Sequence, residues 1–484
     1  MTNLSGANLN SRDAGGPKGK GRESPSSFPK YPEYKDSGVD WLGRVPVHWD
    51  VVPTRAFVEE RNGKNIDGED QNYLSLMANR GIIPYAEKGD VGNKKPDDLA
   101  RCKIVRKGDL VLNSMNYGIG SYGISHLNGV CSPVYIILEP RLNRVSARYV
   151  LRIFENKEFQ KLAQSFGQGI LAHRSSISWE DLKNMKIPLP PIDEQDLLGK
   201  FLDHETAKID ALIDEQKRLI ELLKEKRQAV ISHAVTKGLD PNTSMKDSGV
   251  EWLGEVPAHW DVGPLRWYAT IQGGIAKGKS YSSDEDVVER PYLRVANVQD
   301  GHVDLSDVRS IIVAASEVQR YSLRDGDVLM NEGGDNDKLG RGTVWKGQVE
   351  GCLHQNHVFA IRPDTRLSAE WIAAFTRSDS ARTYFYLYSK QSTNLASISS
   401  SNVMSCPVPI PPIREQEAIL KTVSTALSKI DGLIHTARST MTLLDERRSA
   451  LISAAVTGKI DVRDWQPLAT GTQTYETTRE GATA

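Results

Sequence analysis

The sequence predicts an α+β fold that contains two repeated mixed α/β domains and two long helices. Two observations carry this prediction. The stretch DSGVDWLGRVPVHWDVVP at residues 36–53 returns as DSGVEWLGEVPAHWDVGP at residues 247–264. The motif PLPPIDEQ at residues 188–195 returns as PIPPIREQ at residues 409–416, and each copy begins a long amphipathic segment. Such a duplicated module predicts a pseudo-two-fold symmetric molecule.

Length and composition narrow the class of protein. A chain of 484 residues exceeds what one hydrophobic core supports, so several domains are expected. Its 39% hydrophobic content allows packed cores, but no run of about 18 apolar residues is present to span a bilayer. The polar N-terminal segment predicts a disordered tail rather than a signal peptide. We therefore expect a cytoplasmic protein that does not bind membranes.

The cysteine spacing argues against disulfide-bonded and zinc-binding proteins, and the net charge argues against a strong nucleic-acid-binding protein. The four cysteines lie far apart without CxxC spacing, which predicts buried thiols rather than disulfides or a zinc site. The formal net charge of −1 argues against a chain that binds nucleic acid tightly by itself, because phosphate binding usually leaves a basic surface. A local basic groove and phosphate contacts shared with a partner subunit are both compatible with this charge.

The positions of the repeats divide the chain into six segments. Each α+β domain precedes proline residues and then a long helix, and polar segments flank the whole. The expected order is a disordered tail (1–30), a first domain (31–190), a central long helix (191–240), a second domain (241–411), a C-terminal long helix (412–460) and a mobile tail (461–484).

Matching short apolar runs predict the same strands in both domains. The loops between these runs differ in sequence between the two domains. One scaffold with different loops predicts two binding sites of the same kind that recognise different targets. In the first domain, strands are expected at residues 73–83, 109–113 and 134–138, followed by a helical stretch at residues 147–166. In the second domain the corresponding first strand and its loop are expected at residues 292–301, and the other two strands at residues 326–331 and 357–361.

Two proline-free segments predict the long helices. Residues 192–236 follow a pair of prolines and would extend roughly 65 Å as a helix. Apolar residues recur at near-heptad spacing in both segments, and each stripe needs a partner. An antiparallel coiled coil between the two helices, with one domain at each end, is the simplest solution. The expected seam consists of Leu202, Ile209, Leu223, Val230, Val423, Ile430, Leu444 and Leu451, with Leu212 and Leu219 beside it.

Several motifs that suggest chemistry favour structural interpretations. GIGSYG at residues 118–123 fits the dinucleotide-binding pattern GxGxxG, but the residues after it predict a turn and a strand instead of a helix. Cys352, His354 and His357 lack a fourth metal ligand nearby, and the acidic loop at residues 333–340 lacks the distal glutamate of a calcium loop. Without a nucleophile–base pair or a phosphate-binding loop, the chain is predicted to have no catalytic residue and no metal site.

Four loops carry side chains suited to base recognition. Asparagine and glutamine can bond bidentately to adenine, and arginine can bond to guanine, in the major groove. The alternative is that these loops are simply solvated. The candidates for DNA binding are Asn113, Ser114, Asn116 and Tyr117, then Gln168, His173, Arg174 and Ser175, and in the second domain Asn331, Asn336, Lys338 and Arg341, then Lys390, Gln391, Thr393 and Asn394.

The repeated tryptophans are expected to pack rather than to stack on bases. Trp41 and Trp49 return as Trp252 and Trp260. Because tryptophan usually contributes buried area, these residues are predicted to hold each domain against the helices.

The repeated motifs together resemble the specificity (S) subunits of type I restriction-modification systems. They are DSG-V-[DE]-WLG-x-VP-x-HWD at the start of each half, the strand GD-[LV]-[VL]-[LM]-N, PPI-x-EQ before each long helix, and AVT at each helix end. The resemblance extends from residue 31 to about residue 464. It implies two target recognition domains, each of which recognises one half of a split, asymmetric DNA sequence. It also implies that the two helices act as a spacer and a docking platform.

The resemblance further implies the partners. They would be double-stranded DNA, two methyltransferase (M) subunits and restriction (R) subunits. S-adenosylmethionine, ATP and Mg²⁺ would be used by those partner chains, and this chain would bind no cofactor and be non-catalytic.

Two alternative functions are a coiled-coil adaptor that assembles proteins without recognising DNA and a nucleotide-dependent enzyme using residues 118–123. The duplicated α/β domain argues against the adaptor, which would not need it.

Overall fold

The structure is a computed structural model that divides into two compact units. It describes residues 28–91, 94–115, 117–166, 176–278, 280–334, 339–340, 342–391 and 396–467. The first unit comprises Met1–Glu215 and Thr440–Ala484, and the second comprises Gln216–Ser439.

The first unit consists of short strands, three short helices and parts of both long helices. Its strands are β1 (Tyr34–Asp36), β2 (Arg44–Pro46), β3 (Asp50–Pro53), β4 (Val58–Glu60), β5 (Leu74–Met77), β6 (Gly81–Pro84), β7 (Lys103–Val105), β8 (Leu110–Asn113), β9 (Tyr122–Ile124), β10 (Gly129–Cys131), β11 (Tyr135–Pro140) and β12 (Lys186–Leu189). Its helices are α1 (Ala147–Glu155), α2 (Lys157–Phe166), α3 (Trp179–Leu182) and the first half of α4 (Ile192–Lys237).

The second unit repeats this composition. Its strands are β13 (Met245–Asp247), β14 (Glu255–Pro257), β15 (Asp261–Pro264), β16 (Ala269–Gly273), β17 (Val287–Leu293), β18 (Val298–Gln299), β19 (His302–Val303), β20 (Arg309–Ala314), β21 (Val328–Asn331), β22 (Gly333–Gly334), β23 (Gly342–Val344), β24 (Leu353–His354), β25 (Val358–Pro363), β26 (Lys390–Gln391), β27 (Ala396–Ser397) and β28 (Pro407–Ile410). Its helices are the second part of α4, α5 (Ala315–Tyr321), α6 (Ala369–Thr376), α7 (Asp379–Tyr388), α8 (Ser400–Ser405) and the first part of α9 (Ile413–Val456).

A four-stranded antiparallel sheet lies at the centre of each unit. In the first unit the strand order is β4-β11-β8-β9, and in the second it is β16-β25-β21-β23. The strand that precedes each pair of prolines returns to pair with an early strand, β12 with β3 and β28 with β15. The two units therefore share one strand order, and each long helix leaves its unit from the same point of that order.

Two predicted elements differ from the observed ones. The helical stretch expected at residues 147–166 is broken at Asn156, whose backbone is extended and whose Oδ1 accepts hydrogen bonds from the N–H groups of Glu158 and Phe159 at 2.8 and 3.1 Å. Asn156 thus caps a second helix. The strand expected at residues 73–83 is instead a hairpin of β5 and β6, because Asn79 adopts a φ of 59° that reverses the chain.

In the first unit, the repeated HW motif bonds to the start of a long helix. Glu194 lies in the first turn of α4, and its buried carboxylate accepts hydrogen bonds from Trp49 Nε1 at 2.9 Å and from the Tyr31 hydroxyl. His48 Nε2 lies 2.9 Å from the other carboxylate oxygen. Burial of Tyr31 and its hydrogen bond to Glu194 raise the pKa of the Tyr31 hydroxyl well above its ordinary value. These contacts join the N-terminal hairpin to α4.

The second unit contains the same contact with one donor fewer. Glu415, in the first turn of α9, accepts from Trp260 Nε1 at 3.0 Å, and His259 Nε2 lies 2.8 Å from its other oxygen. Trp49 and Trp260 are fully buried, as expected of residues that hold a domain to a helix. Trp41 and Trp252 instead pack on Phe159 and Tyr384, within the globular parts of their units.

The glutamine of each EQ motif bonds to backbone groups of its own unit. Gln195 Oε1 accepts from the N–H of Ser146 at 2.9 Å, and its amide donates to the carbonyl of Pro190 at 2.8 Å. Gln416 makes the equivalent bonds with Ser368 and with the carbonyl of Pro411, at 2.9 and 2.8 Å. Both glutamines are buried, so these bonds satisfy amides that would otherwise be unpaired.

Apolar residues of both long helices enter the core of each unit. In the first unit Leu202, Ile209, Leu444 and Leu451 belong to one cluster, and in the second Val423 packs with Ile231. Of the other expected seam residues, Leu223 and Ile430 are buried and Val230 is half-buried.

The prediction that Leu212 and Leu219 pack beside the seam is wrong. Leu212 and Leu219 are 45% and 41% exposed, whereas Ile213 and Ile220 are buried. The buried neighbour of Ile209 is therefore the residue four positions later on α4, and the same position recurs seven residues further along at Ile220, because residues i and i+4 lie on one face of a helix.

The described ends of the chain pack on the first unit. The ring of Phe28 lies 5.2 Å from that of Phe201, and Trp465 lies 5.5 Å from the same ring. Residues 28–30 and 461–467 fall within the segments expected to be tails, and the rest of those tails lies outside the described residues. Among the helices that the structure describes, none is both long and apolar enough to cross a membrane.

Candidate nucleic-acid interface

The first candidate loop follows β8, the central strand of the first unit. Asn113 ends this strand and is half-buried, and its Oδ1 accepts from the N–H of Met115 at 3.1 Å, which forms a tight turn. Ser114 is buried. Tyr117 belongs to the core, since it is 1% exposed and its hydroxyl donates to the carbonyl of Phe154 at 2.6 Å. The expectation that Tyr117 contacts a base is therefore wrong for the described structure.

In each unit, a backbone hydrogen bond joins the residue after the central strand to a segment that follows the second candidate group in sequence. In the first unit, the N–H of Ile177 donates to the carbonyl of Ser114 at 3.1 Å, immediately after the loop that contains the second candidate group. In the second unit, the N–H of Ile398 donates to the carbonyl of Glu332 at 2.8 Å. Described residues that are distant in sequence thus meet at the end of the central strand in both units.

In the second unit, Asn331 has a structural role. Its amide donates to the carbonyls of Val295 and Val298 at 3.2 and 3.1 Å, which fixes the turn between β17 and β18. Both amide protons are used, so the bidentate contact with adenine that the sequence suggested would require breaking this turn.

The candidates Lys390 and Gln391 are exposed and lie on a small sheet beside the end of β21. They form β26, which pairs with β27, and β27 also pairs with β22 directly after the central strand. The three short strands line a cavity of about 600 Å³. Of the candidates that the structure describes, Lys390 and Gln391 line this cavity, beside residues 332–334 that follow Asn331.

Two residues of this cavity were not expected to act there. Glu332 and His357 both line it, and His357 Nδ1 lies 2.7 Å from Glu332 Oε2. A signal was present in the sequence, because Glu332 directly follows the repeated GDVLMN strand and stands where the first unit has Ser114. A side chain that differs at a matched position of two repeats marks a position where the two units can differ in recognition.

The remaining candidates lie outside the described residues and stay predictions. They are Asn116, Gln168, His173, Arg174, Ser175, Asn336, Lys338, Arg341, Thr393 and Asn394.

The glycine-rich motif and the buried histidine of the possible metal motif both have structural roles in the first and second units, respectively. The glycine motif at residues 118–123 leads from a short 3-10 helix (Tyr117–Ile119) into β9 instead of opening an α-helix. An added Cβ at Gly123 would lie 2.7 Å from the Cα of Gly81. This glycine therefore serves strand packing. His354 is fully buried and its Nδ1 lies 2.7 Å from the carbonyl of Val358. Within the described ranges, no group of three or more His, Cys, Asp or Glu side chains is placed to hold a metal ion.

The four cysteines are free and buried, as the sequence predicts. Burial raises the pKa of the Cys352 thiol to about 12 and that of Cys406 well above its ordinary value. Such thiols are protonated and unreactive at neutral pH.

Comparison with known families identifies the kind of domain. Residues 46–222 match the model of the family described as type I restriction modification DNA specificity domain. This range covers the central sheet of the first unit and the start of α4. This part of the chain is accordingly similar to a DNA specificity domain.

Whole-chain relatives extend this result. The chain is 24% identical over 437 residues to the type I restriction enzyme EcoKI specificity subunit of Escherichia coli strain K12, covering 86% of this chain and 90% of that protein. It is 23% identical over 448 residues to the putative type I restriction enzyme MjaX specificity subunit of Methanocaldococcus jannaschii, covering 87% and 96%. Over most of its length the chain is therefore similar to the specificity subunits of type I restriction-modification systems.

A solved structure shares the fold. A chain from a structure of a type I restriction-modification system, described in terms of complex assembly and conformational transition, aligns with a TM-score of 0.63 at 15% identity. The alignment covers 85% of this chain and 98% of that one.

Proposed function

We propose that this chain recognises a bipartite, asymmetric DNA sequence and directs methyltransferase and restriction subunits to it. Each unit would bind one half-site, and the paired long helices would set the spacing in a pseudo-two-fold arrangement. The observation that carries the proposal is the junction at the end of each central strand. The same backbone bond, from Ile177 to Ser114 and from Ile398 to Glu332, presents different polar side chains in two units of one strand order.

The chain itself would be non-catalytic and would bind no cofactor. S-adenosylmethionine, ATP and Mg²⁺ would be bound by the methyltransferase and restriction subunits. The net charge of −1 supports a division of DNA binding as well, because a duplex-binding protein normally neutralises several phosphates with basic residues. Two methyltransferase subunits would supply most of these contacts, and the isolated chain would bind DNA weakly.

The first test of this proposal is methylome sequencing. The chain and its methyltransferase subunit are expressed in a host without type I systems, and a strain with the methyltransferase alone serves as control. A new split motif with methyladenine in each half is expected. Exchange of residues 31–190 for the equivalent part of a relative should then change one half-site only. Methylation that does not depend on this chain would contradict DNA recognition and favour the adaptor.

A second test uses a matched pair of lysines. Lys390 is exposed at the candidate interface, whereas Lys429 is exposed on α9. In the complex, Lys390→Ala should weaken DNA binding and reduce the salt dependence of the affinity by about one phosphate contact, and Lys429→Ala should leave both unchanged. Equal effects of the two substitutions would argue against an interface at β26.

A further inference from the structure

The cavity beside β21 holds a carboxylate at a fixed position. The N–H of Glu332 donates to the carbonyl of His357 at 2.9 Å, and its carbonyl accepts from the N–H of Ile398 at 2.8 Å. The backbone of Glu332 is thus bonded on both sides to segments far away in sequence. Its side chain therefore starts from a point that loop motion does not displace.

The carboxylate is also oriented. His357 Nδ1 lies 2.7 Å from Oε2, and Asn356 Nδ2 lies 3.4 Å from the other ring nitrogen, Nε2. An amide that donates to Nε2 leaves the imidazole proton on Nδ1, where it is donated to Glu332. This bond uses one carboxylate oxygen. The side chain of Glu332 remains 33% exposed, so its carboxylate can accept from a ligand in the cavity.

A carboxylate is unusual at a surface that faces DNA, because it repels phosphates. Its chemistry matches an amino group at a base edge, and in the major groove glutamate accepts from the N4 amino group of cytosine. The remaining polar side chains of the cavity fit a base edge as well. Lys390 and Gln391 add an ammonium group and an amide to the same 600 Å³ space.

We propose that Glu332, oriented by His357, determines specificity by accepting a hydrogen bond from the N4 amino group of a cytosine in the half-site bound by the second unit. This inference rests on the proposed function. It assigns a required G·C base pair to that half-site. The first unit has Ser114 at the matched position, so its half-site carries no such requirement from this position.

The test is made on the complete complex with its methyltransferase subunit. DNA with a randomised second half-site is methylated by complexes containing the unaltered chain, Glu332→Gln or Glu332→Ala, and the methylated molecules are sequenced. The half-sites are distinguished by the exchange of residues 31–190 described above. Glu350, which is exposed in the second unit and outside the cavity, supplies the matched control Glu350→Gln.

The unaltered complex should require one G·C pair in the second half-site. Both Glu332 variants should lower the preference for that pair by about 10-fold or more, the range expected for one base contact, and leave the first half-site unchanged. Glutamine can bond bidentately to adenine, so Glu332→Gln should also raise the use of A·T at that position. Glu350→Gln should behave like the unaltered chain.

His357 is a positioning residue, and a single-position readout tests it. His357→Ala should relax preference at the same base pair and at no other, whereas a general loss of structure would lower methylation of every sequence alike. Circular dichroism of each variant checks folding, and Glu332→Gln, which is nearly isosteric, provides the decisive comparison if Glu332→Ala is unstable.

Two outcomes distinguish this inference from the proposed function. A defined bipartite motif whose second half keeps its preferences in both Glu332 variants, or lacks a required G·C pair, would overturn the inference alone. The absence of any defined motif with the unaltered chain would overturn the proposed function, and this inference with it.

Discussion

Arg448 Nη2 lies 2.8 Å from the buried carboxylate of Glu155, and its Nε lies 3.1 Å from Asp210. The second unit contains the equivalent of the Arg448–Asp210 pair. Arg227 follows Gln195 by 32 residues, and Arg448 follows Gln416 by 32 residues, so the two arginines are equivalent positions of the two repeats (227 − 195 = 448 − 416 = 32). Arg227 Nε is 3.3 Å from Asp431. Each unit thus contains one arginine–aspartate pair between its two long helices.

The surroundings of this pair differ between the units. Ser146 and Ser368 are equivalent positions, because each donates its N–H to the glutamine of its own EQ motif. Glu155 lies nine residues after Ser146, and Arg377 lies nine residues after Ser368, so these two residues are equivalent as well (155 − 146 = 377 − 368 = 9). The first unit therefore has a carboxylate where the second has a guanidinium, which pairs with Asp300 at 2.8 Å. Burial of the ion pairs differs accordingly, and so should their contribution to stability.

Glu155→Gln should destabilise the protein by roughly 1.5–3 kcal/mol, because it removes the buried carboxylate that Arg152 and Arg448 share, while Arg152 keeps Asp203 and Arg448 keeps Asp210. Asp431→Asn should cost at most about 1 kcal/mol, since the Asp431 side chain is 56% exposed and its ion pair is screened by water. Urea denaturation of both variants measures the free energy of unfolding. Similar losses in the two variants would contradict the difference in burial.

Glu194→Ala should destabilise the first unit more than Glu415→Ala destabilises the second. Removal of Glu194 leaves the donors of Tyr31 and Trp49 without an acceptor, at roughly 1–3 kcal/mol for each buried group. Glu415 is 32% exposed against 7% for Glu194, so water can replace it more readily. Tryptophan fluorescence during urea denaturation measures both effects, and a larger loss for Glu415→Ala would refute this ranking.

Ile209→Asp should destabilise the first unit by several kcal/mol, because it places a charge in the core between the long helices. Leu212→Asp, three residues along the same helix, should change the free energy of unfolding by less than about 0.5 kcal/mol, since this side chain is 45% exposed. Thermal denaturation measures stability, and gel filtration with the methyltransferase subunit measures assembly. A stable Ile209→Asp variant would show that the two helices do not pack as described.

The stability of the second unit should fall as the pH decreases below about 6.5, the ordinary pKa of histidine. Burial lowers the pKa of His354, so below that pH the unfolded chain binds a proton that the folded chain does not. His354→Gln should reduce this loss between pH 7 and pH 5. His302→Gln, at an exposed position of the same unit, should retain it, and equal pH profiles for both variants would contradict the assignment.

The long helices were predictable because their limits are local. Pro190 and Pro191 precede the first, and Gly238 ends it with a φ of 76° that other residues adopt at a cost. The expected range 192–236 differs from Ile192–Lys237 by one residue. The central strands were predictable for the same reason, since short apolar runs with turn residues on both sides identify them.

The candidate site was predictable only in part. Lys390 and Gln391 follow from the chemistry of a polar loop, but Tyr117 is a core residue and Asn331 holds a turn. Sequence alone does not distinguish an amide that meets solvent from one that bonds to its own backbone. That distinction depends on which carbonyl groups the fold brings within about 3 Å.

The sequence by itself determined the duplication, the central strands and the two long helices, because these depend on residue order and short-range periodicity. The tertiary structure alone decided which of those side chains share a cavity. Glu332 lies beside His357 because β21 pairs with β25, and near Lys390 because β27 pairs with both β22 and β26. No local pattern specifies such contacts, since they form only when the chain has closed its central sheet.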